Sequence, residues 1–117
     1  MSYIDGFVAA VPNANKQKFI DNAKEVDEFF IENGAIRVVE CWGDDVPEGK
    51  TTDFRRAVKA EANESVVFSW VEWPNKETRQ AAMQKMSDDP RMKGMQLPFD
   101  GQRMIYGGFE NIFELKK

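Results

Sequence analysis

The sequence predicts an α+β domain with its elements in the order β-α-β-β-α-β, and three observations carry that reading. Four stretches rich in β-branched and aromatic residues alternate with two stretches of helical periodicity. Proline, asparagine and glycine punctuate their boundaries. The third β-rich stretch places Val66, Phe68 and Trp70 at one parity and Val67, Val71 and Trp73 at the other, so that strand carries apolar bulk on both faces.

Tyr3 to Val11 forms the first strand, closed by Pro12 and Asn13. Asn13 or Asn15 can cap the helix that follows, whose Phe19, Ala23, Val26 and Phe30 recur at spacings of four, three and four. Asn33 and Gly34 end it, with Gly34 suited to a left-handed position. Ala35 to Trp42 and Val66 to Trp73 are the second and third strands. Between them Gly43 to Ser65 is long for an unstructured connection. Thr52 or Asp53 can cap a short helix there through Phe54, Ala57 and Val58, and an extended arm fits nearly as well. Asn75 caps a second main helix bearing Ala82, Met83 and Met86, which Asp89-Pro90 ends before a short helical turn from Pro90 to Met95. Arg103 to Ile112 is the fourth strand, with Gly107-Gly108 marking a bulge or a close backbone approach.

This order is the split β-α-β, or ferredoxin-like, arrangement, with a four-stranded antiparallel sheet and both helices on one face. Two helices cover one face only. The other apolar face needs a second cover, and the sheet of an identical chain about 10 Å away is the simplest one, which predicts a homodimer.

Composition narrows the function classes. The 117 residues fit one domain, residues 1–117, which can bury roughly two-thirds of the surface its unfolded chain exposes. No apolar run reaches the roughly 18 residues of a membrane span, and no signal segment is visible, so no membrane partner and a cytoplasmic location are expected. A single cysteine, Cys41, excludes an intrachain disulfide and fits a reducing compartment; in an apolar strand it is expected to be a buried small hydrophobe. Net charge is −4 and the basic residues are scattered, which argues against a nucleic-acid partner. The chain has no histidine, which removes histidine bases, Ser-His and Cys-His pairs, histidine-ligated haem and most transition-metal sites. The Asp44-Asp45 and Asp88-Asp89 pairs lack calcium-loop spacing, so no metal and no cofactor are expected.

The strands carry polar residues that a purely structural sheet would not require: Asp5, Arg37, Glu40, Ser69, Glu72, Arg103, Tyr106 and Glu110. Beside the rings of Trp42, Trp70 and Trp73, several of them could orient a ligand in an apolar pocket, Arg37, Trp42, Ser69, Trp70 and Glu72 being the binding candidates. Tyr106, Arg103 and Glu40 are the catalytic candidates: an arginine can clamp a carboxylate or enolate, and a tyrosine can donate to a developing oxyanion. Strand alternation puts Met104, Tyr106 and Glu110 on one face and Arg103 on the other, so these residues cannot all share one pocket.

Several blocks are idiosyncratic enough to identify kin: Ser2-Tyr3-Ile4-Asp5-Gly6-Phe7, Glu40-Cys41, Asp44 to Lys50, Arg56 to Ala60, Val66 to Trp70, Asp89-Pro90-Arg91, and above all Pro98 to Glu110. Through them the chain resembles, end to end, the YbaA-like family of small bacterial proteins of unassigned function. The segment Met92 to Leu97 is shorter than expected of that family, which alters the nearby rim. The resemblance implies a dimeric α+β barrel superfamily fold, with a pocket between sheet and helices in each subunit. That superfamily includes cofactor-free monooxygenases, haem-degrading enzymes, isomerases and ligand-binding regulators, and the family supplies no catalytic residues of its own. The expectation is therefore a small cytoplasmic homodimer that binds a small organic ligand. The alternatives are a cofactor-independent oxygenase or isomerase and a non-catalytic stress or interaction protein.

Overall fold

The computed structural model describes residues 2–117. Strand β1 (Tyr3–Pro12) passes through a 3-10 turn (Asn13–Asn15) into helix α1 (Lys16–Glu32), then β2 (Arg37–Trp42) and the single-turn helix α2 (Phe54–Ala57). Strand β3 (Glu64–Trp73), helix α3 (Lys76–Met86) and strand β4 (Ile105–Glu110) complete it. All strand pairs are antiparallel and the order is β2-β3-β1-β4, the ferredoxin-like arrangement that the element order predicts.

Local chemistry sets the boundaries. Gly34 takes φ 107° just past α1, where a side chain would be strained, and its amide returns to the Ile31 carbonyl at 3.2 Å. The Asn75 side chain accepts from the Thr78 amide at 2.8 Å and starts α3. Asp53 starts α2 by accepting from the amides of Arg56 and Gly49, which hold its carboxyl below its ordinary range. Neither asparagine caps α1 through its side chain: Asn15 donates to the Pro98 carbonyl at 2.9 Å, and the Asn13 side chain is held by Ser65.

The register sorts the sheet into two faces. Tyr3, Asp5, Phe7, Ala9 and Val11 stand beside Trp73, Val71, Ser69, Val67 and Ser65 on the helical side. There Phe29, Phe30, Val71, Trp73 and Ala82 form one core cluster, and Ala9, Val11, Phe19 and Val67 a second. The Phe30 ring meets Trp73 edge-on at 5.8 Å, and Trp73 is wholly buried. Ile4, Val8 and Ala10 share the opposite face with Trp70, Phe68 and Val66.

That opposite face is half covered by the chain itself. The connection after β2 folds back over one end, where Val58 is fully buried against Ala10 and Val66 and the Phe54 ring meets Phe68 edge-on at 6.0 Å. The remainder, with Phe68, Ile105 and Phe109 exposed, is open.

Four further details depart from the sequence reading. Pro90 to Met95 is a succession of turns rather than a helical turn: Arg91 is drawn to Asp89 and Glu32, and Gly94 takes φ 71°. Strand β4 begins at Ile105, because Asp100 accepts from the Gln102 amide and caps a 3-10 turn (Gly101–Arg103) that uses up the preceding residues. Gly107 and Gly108 lie in regular register opposite Gly6 and Asp5, with no bulge. A close approach does occur there: a side chain at Gly108 would collide with the Tyr3 ring, and the Phe109 ring lies over Gly6 and Gly107. Finally Cys41 is exposed, because it faces outward from edge strand β2 opposite Phe68 on the open face.

Candidate functional site

The sheet and α1 do not close on one another along their whole length. Ala9 and Ser69 are small on the sheet, Ala23 and Val26 are modest on the helix, and the gap between them remains a cavity of about 320 Å³. Phe7, Phe19 and Phe30 wall it, and the segment after α3 roofs it with Met92, Met95, Leu97, Phe99 and Met104. Methionines suit such a roof because an unbranched thioether adapts to irregular shapes.

Three polar side chains meet at one wall. Glu40 on β2 and Ser69 on β3 are direct cross-strand partners, and the Ser69 hydroxyl donates to Glu40 Oε1 at 2.5 Å. Asp27 approaches from α1 and hydrogen-bonds to the Glu40 carboxyl. Asp27 stands one residue after Val26 and four after Ala23, at the flank of the apolar stripe of α1, which turns it toward edge strand β2. Burial raises its carboxyl to about 8, helped by the hydrogen bond to Glu40 and by Glu40's negative charge. Asp27 therefore holds a proton at neutral pH while facing a second acid, an arrangement suited to donating or exchanging a proton. The two carboxyls also line an outer groove along α1 with Lys24, Glu28 and Glu32, so they stand at an open margin of the cavity, where Glu40 is exposed.

Of the sequence candidates, Glu40 and Ser69 line this cavity. Trp42 lies on the same sheet face but beyond the cavity, edge-on to Phe19 at 6.2 Å with the Lys16 ammonium 5.2 Å from its ring. Trp70, Glu72 and Arg37 lie on the opposite face, where the Trp70 indole donates to Glu72 at 2.9 Å and Arg37 stands 3.8 Å from Glu72. Tyr106 pairs with Phe7 on the outer strand, their rings 6.5 Å apart, and is 71% exposed. Glu110, at the end of that strand, is exposed.

The remaining two candidates are bound into ion pairs. Arg103 donates to both oxygens of buried Glu64 at 2.8 Å, to Asp100 and to the Lys59 carbonyl, and it holds the Glu64 carboxyl down at about 2. Asp5 is buried on the helical side, where it accepts from the Trp73 indole at 2.9 Å and from Arg79 Nη2 at 2.8 Å. Both groups fasten elements together: Arg103 ties the turn before β4 to β3, and Arg79 ties α3 to β1. Asp27 is the site residue that strand patterns do not reveal. Among the described residues no three potential metal-ligating side chains gather in one place, and no helix is long and apolar enough to cross a membrane.

Comparison with known proteins agrees with the fold and adds kinship. The chain is 60% identical over 116 residues to the uncharacterised protein YbaA of Escherichia coli K12, which covers 97% of this chain and 99% of that protein. The Shigella flexneri protein of the same name matches equally. A crystal structure described as a dimeric ferredoxin-like protein from an uncultured marine organism superposes with a TM-score of 0.63 at 12% identity, over 97% of this chain and 98% of that one. The family model for proteins of unknown function designated DUF1428 matches residues 2–101. On that match and on the near full-length identity with YbaA, the chain belongs to the DUF1428 family of proteins of unknown function.

Proposed function

We propose that the protein is a cytoplasmic homodimer whose subunits each bind a small, largely apolar organic molecule between sheet and helices, its one polar group seated on Asp27, Glu40 and Ser69. The observation that carries this reading is the placement of three converging polar side chains on the wall of a cavity otherwise lined, apart from Asn22, by phenylalanine, methionine and aliphatic groups. A mostly apolar pocket with a few orienting polar groups is the usual form of a small-molecule site. The dimer is supported by the open apolar face bearing Phe68, Ile105 and Phe109, and by the dimeric description of the structural relative. The single free cysteine supports the location.

A second reading is favoured by the acid pair itself. Asp27 donating a proton while Glu40 accepts one is the apparatus of an isomerase that shifts a proton on an enolisable carbonyl compound without a cofactor. A thermal-shift screen of small alcohols, phenols, ketones, amines and acids tests the binding reading. Hits should stabilise the parent protein and lose their effect in the E40Q variant. If no class stabilises the protein, the reading fails. Exchange of α-protons of a bound ketone with deuterated solvent, followed by NMR, tests the second.

A further inference from the structure

We infer that the ligand's polar group is a positively charged amine, bound by the Asp27–Glu40 pair and boxed by the phenylalanines of the cavity. This inference rests on the binding reading and specifies its ligand. The first support is what the lining contains: two carboxyl side chains and no lysine or arginine. A carboxylate ligand would meet like charge at exposed Glu40 and half-buried Asp27 and find no cation in the lining to pair with. A neutral alcohol finds partners but gains nothing from the charge.

The second support is the character of the walls. Phe19, Phe30 and Phe99 line the same space, and methionines roof it. Ring faces attract a desolvated cation, and thioether sulfur and aromatic surfaces accept the apolar body attached to it. The third is the position of the acids beside Ser69, which leaves the ammonium several acceptors on one side of the cavity. An ammonium group donates in several directions and needs such a cluster.

The proton on Asp27 gives the proposal a distinctive readout. An ammonium bound between the carboxyls competes with that proton, so uptake of an amine at neutral pH should release it. The charged groups facing Asp27 are Glu40 from β2 and, along α1 in the outer groove, Lys24, Glu28 and Glu32; β3 contributes the uncharged Ser69, and the cavity residues of the segment after α3 are uncharged.

The test uses three probes of matched shape, 2-phenylethylamine, 2-phenylethanol and phenylacetate, titrated calorimetrically into the full-length protein at pH 7 in two buffers of different ionisation enthalpy. The amine should bind about tenfold or more tightly than the alcohol, with phenylacetate weakest and close to one proton released per amine bound. The D27N variant should keep the amine preference but release no proton, whereas E40Q should narrow the gap between amine and alcohol. Circular dichroism melts of both variants establish that they are folded. Equal or tighter binding of the alcohol, or tighter binding of phenylacetate, overturns the amine assignment and leaves the binding reading standing. Failure of all three probes at millimolar concentration overturns both.

Discussion

Replacing Asp27 by asparagine should stabilise the protein, with a benefit that grows as pH rises. The native carboxyl is raised from its ordinary 3.8 to about 8. Below pH 3.8 it is protonated in folded and unfolded chains alike, and no penalty exists. Above that point the unfolded chain sheds a proton that the native state retains, so stability falls steadily until about pH 8 and then levels off. A span of about four pH units at ~1.4 kcal/mol each sets a ceiling near ~6 kcal/mol. Asp27 is only partly buried, and solvent screening brings the expected loss down to about 2–3 kcal/mol. An amide in its place does not titrate. Urea unfolding of both proteins, followed through the fluorescence of Trp42, Trp70 and Trp73 at pH 4.5, 6.5 and 8.5, should show a gap that opens with pH at unchanged slope. Groups common to both chains cancel in the difference. A gap independent of pH, or a D27N protein weaker than the parent at pH 8.5, would refute the reasoning. E40Q removes two of the three causes of the shift and should flatten the parent's pH dependence partway.

Three further outcomes are expected. Arg79→Met leaves the Asp5 carboxylate buried with only the Trp73 indole as side-chain partner, and should cost about 3–5 kcal/mol in urea unfolding; adding Asp5→Asn should recover part of it, and additive effects in the double-mutant cycle would show that the pair does not interact. Glu64, lowered to about 2 from its ordinary 4.5, contributes stability above pH 4.5 that disappears as pH falls through about 2; Arg103→Met should make the parent's loss of stability across that acid window shallower, as measured by acid titration of the near-ultraviolet circular dichroism. If the proposed dimer forms through the open sheet face, Phe109→Asp, which places a charge there, should yield a monomer by light scattering, with faster reaction of Cys41 with a thiol reagent; an unaltered mass would count against the proposed dimer through this face.

The sheet was legible because its signal is local. Parity along Val66 to Trp73 distinguishes the two faces within eight residues, and the register keeps that division. Glu40 and Ser69 stood out for a similar reason, since a polar side chain in an apolar strand is conspicuous in any window. Asp27 did not, because an acid at the flank of a helix stripe is the commonest of solvent-facing residues. Only the approach of α1 to β2 gives it Glu40 as a neighbour. Arg103 and Asp5 show the converse: each looked available in its own strand, yet each is engaged by a residue 39 or 74 positions away. The Cys41 expectation failed on a related point, because an apolar strand context does not reveal that the strand is an edge whose outward face is open.

The arm that carries Val58 over Ala10 and Val66 does more than finish a core. By occupying one end of an otherwise apolar sheet face, it leaves a bounded landing area at the Phe109 end, and two copies can meet there only if each accommodates the other's arm at its margin. The connection thus serves as a fence. In the proposed dimer it would restrict the offsets at which two sheets can slide across one another, because only the area beyond Val58 is left open.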